Sequence, residues 1–253
     1  DNYVLSVRSI AYGAGLSSNR MSAVPKRGVV IDRPGVAIDP HEVLERLRQS
    51  GSAFVRPATT VISLEDSAFV ISINDIQLGQ SYNGGSERVI EQFHTFIRLA
   101  GGRILELRAL GRRLSKLVIV GGGDLVEGCV IYGNQAYNLD MDRKQQVEGV
   151  VALILHAIDT LGPLFDRIQV LAARGNHGEN RINGKTTTLH DNDDTHAFEM
   201  AKLALQRDPA FRDKIDWVIA ESEAGVAVKV FDWVLATTHG DIYAKGVPGA
   251  TID

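Results

Sequence analysis

From residue 68 onward the chain alternates short apolar runs with stretches of helical period, and that alternation restricts it to a small set of layered folds. The runs 68–73, 117–120 and 168–172 are too short for helices and run into Asn, Asp or Gly, which marks them as buried strands ending in turns. Between them, Val89, Ile90, Phe93, Phe96 and Ile97 recur at helical spacing within 87–100 and predict one buried stripe. Val147, Val150, Val151, Ile154, Leu155 and Ile158 predict a second helix, closed by Gly162-Pro163, and 195–206 predicts a third. Residues 217–220, 226–230 and 234–237 then follow as a strand meander. The order β-α-β-α-β-α plus strands predicts an α/β fold with a second, mixed sheet packed on the first.

Residues 1–66 are less regular and form an N-terminal appendage: 3–10 suits a strand, 13–33 is rich in Gly, Ser, Pro and Arg, and 40–48 suits a short helix. The expected main domain is 67–253. With 253 residues and 44% hydrophobic composition the chain can bury a sizeable core. A net charge of -4 excludes a globally basic nucleic-acid binder, so a polyanion would need a local patch. Arg88, Arg98, Arg103, Arg108, Arg112, Arg113 and Lys116 offer one, either as DNA-backbone contacts or as a solvated helix face. The single Cys129 excludes an internal disulfide, reads as core filler and points to a reducing cytoplasm. The apolar run 147–158 is broken by Glu148 and His156 and is shorter than a bilayer span, so no membrane segment is expected.

Asp75, Asp124, Asn176-His177 and His239 each fall just after an expected strand, and ligands bind at that edge of α/β sheets. Glycines at 79, 121–123, 175 and 240 let the backbone turn sharply beside them. Carboxylates, an amide oxygen and imidazole suit a divalent cation such as manganese, magnesium, iron or zinc. Each residue alone also suits an ordinary turn. Two phosphate motifs fail by counting: Gly184-Lys185-Thr186 lacks the P-loop glycine at Glu179, and Gly121 and Gly123 lack the third dinucleotide glycine at Val126. His190 and His196, near Asp191, Asp193 and Asp194, could be recruited as substitute ligands, but a polar loop and a helix N-terminus explain that run more simply.

Taken in order, Asn74-Asp75-Ile76-Gln77, Gly123-Asp124-Leu125-Val126-Glu127-Gly128, Gly175-Asn176-His177-Gly178-Glu179 and Thr238-His239-Gly240-Asp241 resemble the motifs of calcineurin-like metallophosphoesterases. The form of the first two motifs is most similar to bacteriophage and actinobacterial members, related to double-strand-break-repair nucleases. The resemblance implies a four-layer α-β-β-α sandwich with two mixed sheets and two divalent metals, Mn2+ foremost, that clamp a phosphate ester. It implies Asp75 and Gln77 at the first metal, Asp124 bridging both, and Asn176 and His239 at the second. His177 would act on the leaving oxygen, with Arg174 and Arg181 near the substrate phosphates.

Two departures stand out. Gln77 occupies the place of a family histidine, and either coordinates through its amide oxygen or only hydrogen-bonds. The family's final Gly-His-x-His is absent; the expectation is that the polypeptide continues past Asp253, the alternative being a degenerate member. The implied activity is a phosphodiesterase or nuclease on DNA or nucleotides. Alternatives are a protein or nucleotide phosphatase and a non-catalytic scaffold. A protein partner or homo-oligomer is not readable from the sequence.

Overall fold

The computed structural model describes residues 3–12, 16–25 and 66–240, the first two stretches as backbone strands. The expected helix at 40–48 and Asp241 lie outside the described residues. The chain divides into two compact units, Asp1–Val55 with Tyr243–Asp253, and Arg56–Ile242. In the first, β1 (Tyr3–Tyr12) and β2 (Leu16–Pro25) form an antiparallel hairpin that registers Tyr3 with Pro25 and Tyr12 with Leu16.

The second unit runs β3 (Asp66–Ile73), α1 (Gly85–Ala109), β4 (Arg113–Gly121), α2 (Arg143–Leu161) and β5 (Arg167–Ala172). The short strands β6 (Arg181–Ile182) and β7 (Lys185–Thr186), then α3 (Asp193–Leu205), β8 (Ile215–Ile219), β9 (Gly225–Val230) and β10 (Trp233–Thr238) complete it. The alternation therefore yields the expected α/β class.

Strands β3, β4, β5 and β8 form one sheet in that order, parallel throughout. Residues 217–220, expected to open the meander, instead belong to this sheet. Helix α3 precedes them and supplies the crossover that a parallel strand requires. The second sheet, among the described residues, is the antiparallel pair β9 and β10 rather than a mixed sheet.

Because strand order follows chain order without reversal, crossovers of one hand put all three helices on one face. Leu117, Ile119 and Gly121 point there, and a Cβ on Gly121 would meet Phe198 of α3 at 2.4 Å. On the other face Val118, Val120 and Leu171 form a core with Val230, and Val226, Val228, Phe231 and Leu235 of the hairpin region pack against it. Apolar contact on both faces explains the continuous apolar runs of β4 and β5.

Four details depart from expectation. Helix α1 runs through Gly101 and Gly102 to Ala109, because burial of Ile104 and Arg108 extends the stripe of Phe93, Ile97 and Ala100 and outweighs about 1 kcal/mol of lost propensity per glycine. Phe96 lies off that stripe, 39% exposed. Cys129 is half-exposed rather than core. Helix α2 with its following turn, Arg143–Leu164, is by length and composition sufficient to cross a membrane, because the helix is longer than its apolar run. Here its Val150, Leu153, Ile154, Ala157, Ile158 and Leu161 face is part of the core.

Candidate metal centre

The parallel register brings Ile73, Gly121, Ala172 and Ile219 level at one edge of the sheet. The loops after β3, β4 and β5 therefore leave side by side. The first two stay paired beyond the sheet: Asp75 N donates to Gly123 O (3.2 Å), Gln77 N to Asp124 O (3.0 Å) and Leu78 N to Leu125 O (2.9 Å). Pairing in this path puts Asp75, Gln77 and Asp124 at φ of 51°, 47° and 53°, the left-handed region that non-glycine residues rarely occupy. Such strain is held only where the surroundings over-determine it, and it gathers at functional sites.

The third loop packs backbone against backbone. A Cβ on Gly175 would stand 2.1 Å from Asp124 N and 2.3 Å from Asp124 Oδ1, so glycine is required there. What clamps the two loops is Asp194, in the first turn of α3 and fully buried. Its Oδ2 accepts from Asp124 N (2.9 Å) and Gly175 N (3.0 Å), and its Oδ1 from Leu125 N (2.8 Å) and Val126 N (3.2 Å). Burial and then the charge of Asp124 push its carboxyl up to about 6, against the pull of these N–H groups. Asn192 caps α3, accepting from Asp194 N (3.0 Å) and Thr195 N (3.4 Å), and donates to Gly175 O (2.8 Å).

On this platform Asp75, Asp124 and His239 each bring a ligand atom to within 4.8 Å of the others. His239, one residue past β10, directs Nδ1 at Gly122 O (3.1 Å), which places a proton on Nδ1. Its Nε2 then meets Asn176 Oδ1 at 2.9 Å and Asp124 Oδ2 at 3.1 Å. His239 Nε2 thus faces two oxygens, an arrangement that a proton on Nε2 or a cation would satisfy. Without a cation, burial opposes protonation of His239, but the hydrogen bond and charge of Asp124, the Gly122 carbonyl and Asp75 overcome it and hold the ring at about 9. For Asp124, burial would raise the carboxyl, yet His239 and His177 keep it below the usual carboxylate range. Asp75 is raised, by burial first and then by Asp124. Carboxylates, an amide oxygen and an imidazole are donors that could hold a divalent cation.

His177 lies beside this cluster. Its backbone N donates to Asp124 Oδ1 (2.9 Å), and Nδ1 lies 2.8 Å from Glu127 O and 3.4 Å from Glu127 Oε2. Nε2 faces Asp124 Oδ2 (3.9 Å) and the Tyr132 hydroxyl (3.4 Å). The half-exposed Tyr132 ring meets the imidazole edge-on, with centroids 5.4 Å apart. Burial opposes a proton on His177, but Glu127 and Asp124 together raise it above an ordinary histidine.

The other nominated residues make contacts of their own. Gln77 Oε1 accepts from Gln80 Nε2 at 3.4 Å. Arg174 is buried and pairs with Glu179 (3.4 Å). Arg181 bonds Glu179 Oε2 through Nε (3.0 Å) and Nη2 (2.7 Å), and remains partly exposed. Asp194, Glu127 and Tyr132 were not nominated from sequence. For Glu127 the available signal was a carboxylate beside Gly128, whose φ of 77° brings the chain against His177 O. Compared with known protein families, curated proteins and solved structures, the chain matches none.

Proposed function

We propose that this chain is a divalent-metal-dependent phosphodiesterase or nuclease of the calcineurin-like type, with Mn2+ the preferred ion. The observation that carries this reading is that His239 Nε2 lies within 3.1 Å of both Asn176 Oδ1 and Asp124 Oδ2, with Asp75 close by. A cation would satisfy these atoms, and together with Asp75 they come from four segments in the order the motif resemblance expects. Helices on a parallel sheet on a hairpin also suit three layers of the four-layer sandwich, which remains part of the proposal.

Asp124, Asn176 and His239 would hold one cation, and Asp75 with Asp124 the other. When bound, such a pair supplies Lewis acidity toward the phosphate oxygens and lowers the pKa of a water. The protein's own groups do the rest. Glu127 O fixes the proton on His177 Nδ1, so Nε2 is the atom that carries a second, transferable proton. With its proton affinity raised by Glu127 and Asp124, His177 can donate from Nε2 to the departing ester oxygen. Tyr132 screens that nitrogen from water on one side. Asp194 keeps Asp124 and the Gly175-Asn176 turn together, which preserves the geometry between substrate oxygens and His177.

The test is hydrolysis by the full-length protein with Mn2+ on single-stranded DNA, duplex DNA and bis-p-nitrophenyl phosphate. Diester cleavage that a chelator abolishes is expected; cleavage of none of the three rejects the reading. One observation favours a second reading, a non-catalytic scaffold: Gln77 turns toward Gln80, which leaves the first cation short of a ligand. Calorimetry showing a bound cation without any hydrolysis would select it.

A further inference from the structure

A cleft of about 280 Å3 opens beside Asp75, lined among others by Ile76, Val89, Gln92, Phe93 and Phe96. Phe93 is buried and meets Phe96 edge-on, with ring centroids 6.3 Å apart, so the exposed ring has a rigid support. Asp75 lines both this cleft and the cation cluster, so the two adjoin at that residue. Its volume is just below the roughly 300–1,000 Å3 of drug-sized sites, which suits one ring system and not a duplex. The lining is mainly apolar with an exposed aromatic, and the Gln92 amide offers a donor and an acceptor for a polar ring edge.

At least three of the seven basic residues of 88–116 are engaged within the protein. Arg108 is buried and donates to Leu114 O (2.9 Å) and to Leu164 O, Arg103 pairs with Glu106, and Arg113 with Asp66. We propose that the cleft receives the base of the nucleotide that bears the reacting phosphate, stacked on Phe96. The substrate is then a nucleotide diester or an unpaired strand. This rests on the phosphoesterase reading above.

The experiment titrates 2-aminopurine deoxyriboside 5′-monophosphate, whose fluorescence is quenched on stacking, into the full-length protein in Mg2+ buffer. Wild type is expected to quench saturably. Phe96→Ala should weaken binding about 5- to 150-fold, the range seen when a base loses its aromatic platform, and Phe96→Trp should retain it. Circular dichroism of both variants checks that they fold, since Phe96 is 39% exposed but rests on buried Phe93. Absence of saturable quenching in wild type, or equal affinity in Phe96→Ala, overturns the base subsite. The same preparations are assayed on methyl p-nitrophenyl phosphate, which has no base: failure of wild type to cleave it counts against the phosphoesterase reading alone.

Discussion

Replacing Asp194 with Asn tests whether one buried carboxylate assembles the candidate metal centre. The change conserves shape but puts an NH2 where one carboxylate oxygen accepts two backbone N–H groups. If Oδ2 is lost, Asp124 N and Gly175 N lose their acceptor; if Oδ1 is lost, Leu125 N and Val126 N do. An unsatisfied buried donor costs about 1–3 kcal/mol, so two cost about 2–6 kcal/mol. Burial and the charge of Asp124, which push Asp194 up to about 6, work the other way, because the amide carries no charge. The net loss should therefore fall near the lower end, about 2 kcal/mol, out of the roughly 5–15 kcal/mol that holds a domain folded. Urea denaturation of chelator-treated protein measures it. Loosening of the Asp124 and Asn176 loops should also weaken Mn2+ binding at least about tenfold by calorimetry, equivalent to about 1.4 kcal/mol. Stability within about 0.5 kcal/mol of wild type together with unchanged Mn2+ affinity would refute the clamp.

Further outcomes follow from the same geometry. Gly175→Ala places a Cβ 2.1 Å from Asp124 N, so cation binding should be lost or the folded fraction should fall, as read by calorimetry and circular dichroism. His177→Ala should keep its metal content while turnover drops about 10²- to 10⁴-fold, the usual worth of a positioned acid; unchanged turnover with full occupancy would remove His177 from the chemistry. His239, raised from about 6.5 when unfolded to about 9 when folded, stabilises the cation-free protein by its protonated form. That contribution, about 3 kcal/mol, is complete below about pH 6.5 and lost as pH rises through 9. A cation must displace this proton, so Mn2+ affinity should rise up to about tenfold per pH unit toward 9, and a flat profile between pH 7 and 9 would contradict the assignment. Gln77→His should increase occupancy or shift preference toward Zn2+, since imidazole suits zinc better than an amide; identical metal content by mass spectrometry would confine Gln77 to its contact with Gln80.

Much of the second unit was legible because its signals are local. Apolar runs bounded by Gly, Asn and Asp define β3, β4 and β5 whatever they pack against, and i, i+3, i+4 spacing defines α1, α2 and α3. Strand-end position and motif order nominated Asp75, Asp124, Asn176, His177 and His239, which the folded chain brings together. Asp194 stayed hidden because an aspartate in a first helical turn has a sufficient local explanation in the helix dipole. Its actual partners lie 19 to 70 positions away in sequence. Arg174 likewise looked like a phosphate contact until its burial with Glu179 was seen. Phe96 looked like core until the rotation of α1 on the sheet exposed it.

By itself, then, the sequence determined where the main strands and helices lie, though not how far α1 extends, and which chemical groups follow each strand, since these depend mostly on neighbours within a few positions. Only the tertiary structure decided how those groups meet. The shared register that ends β3, β4 and β5 level, and the Gly175 backbone pressed on Asp124, are products of sheet pairing and close approach. Both depend on distances between chain segments that no local pattern encodes.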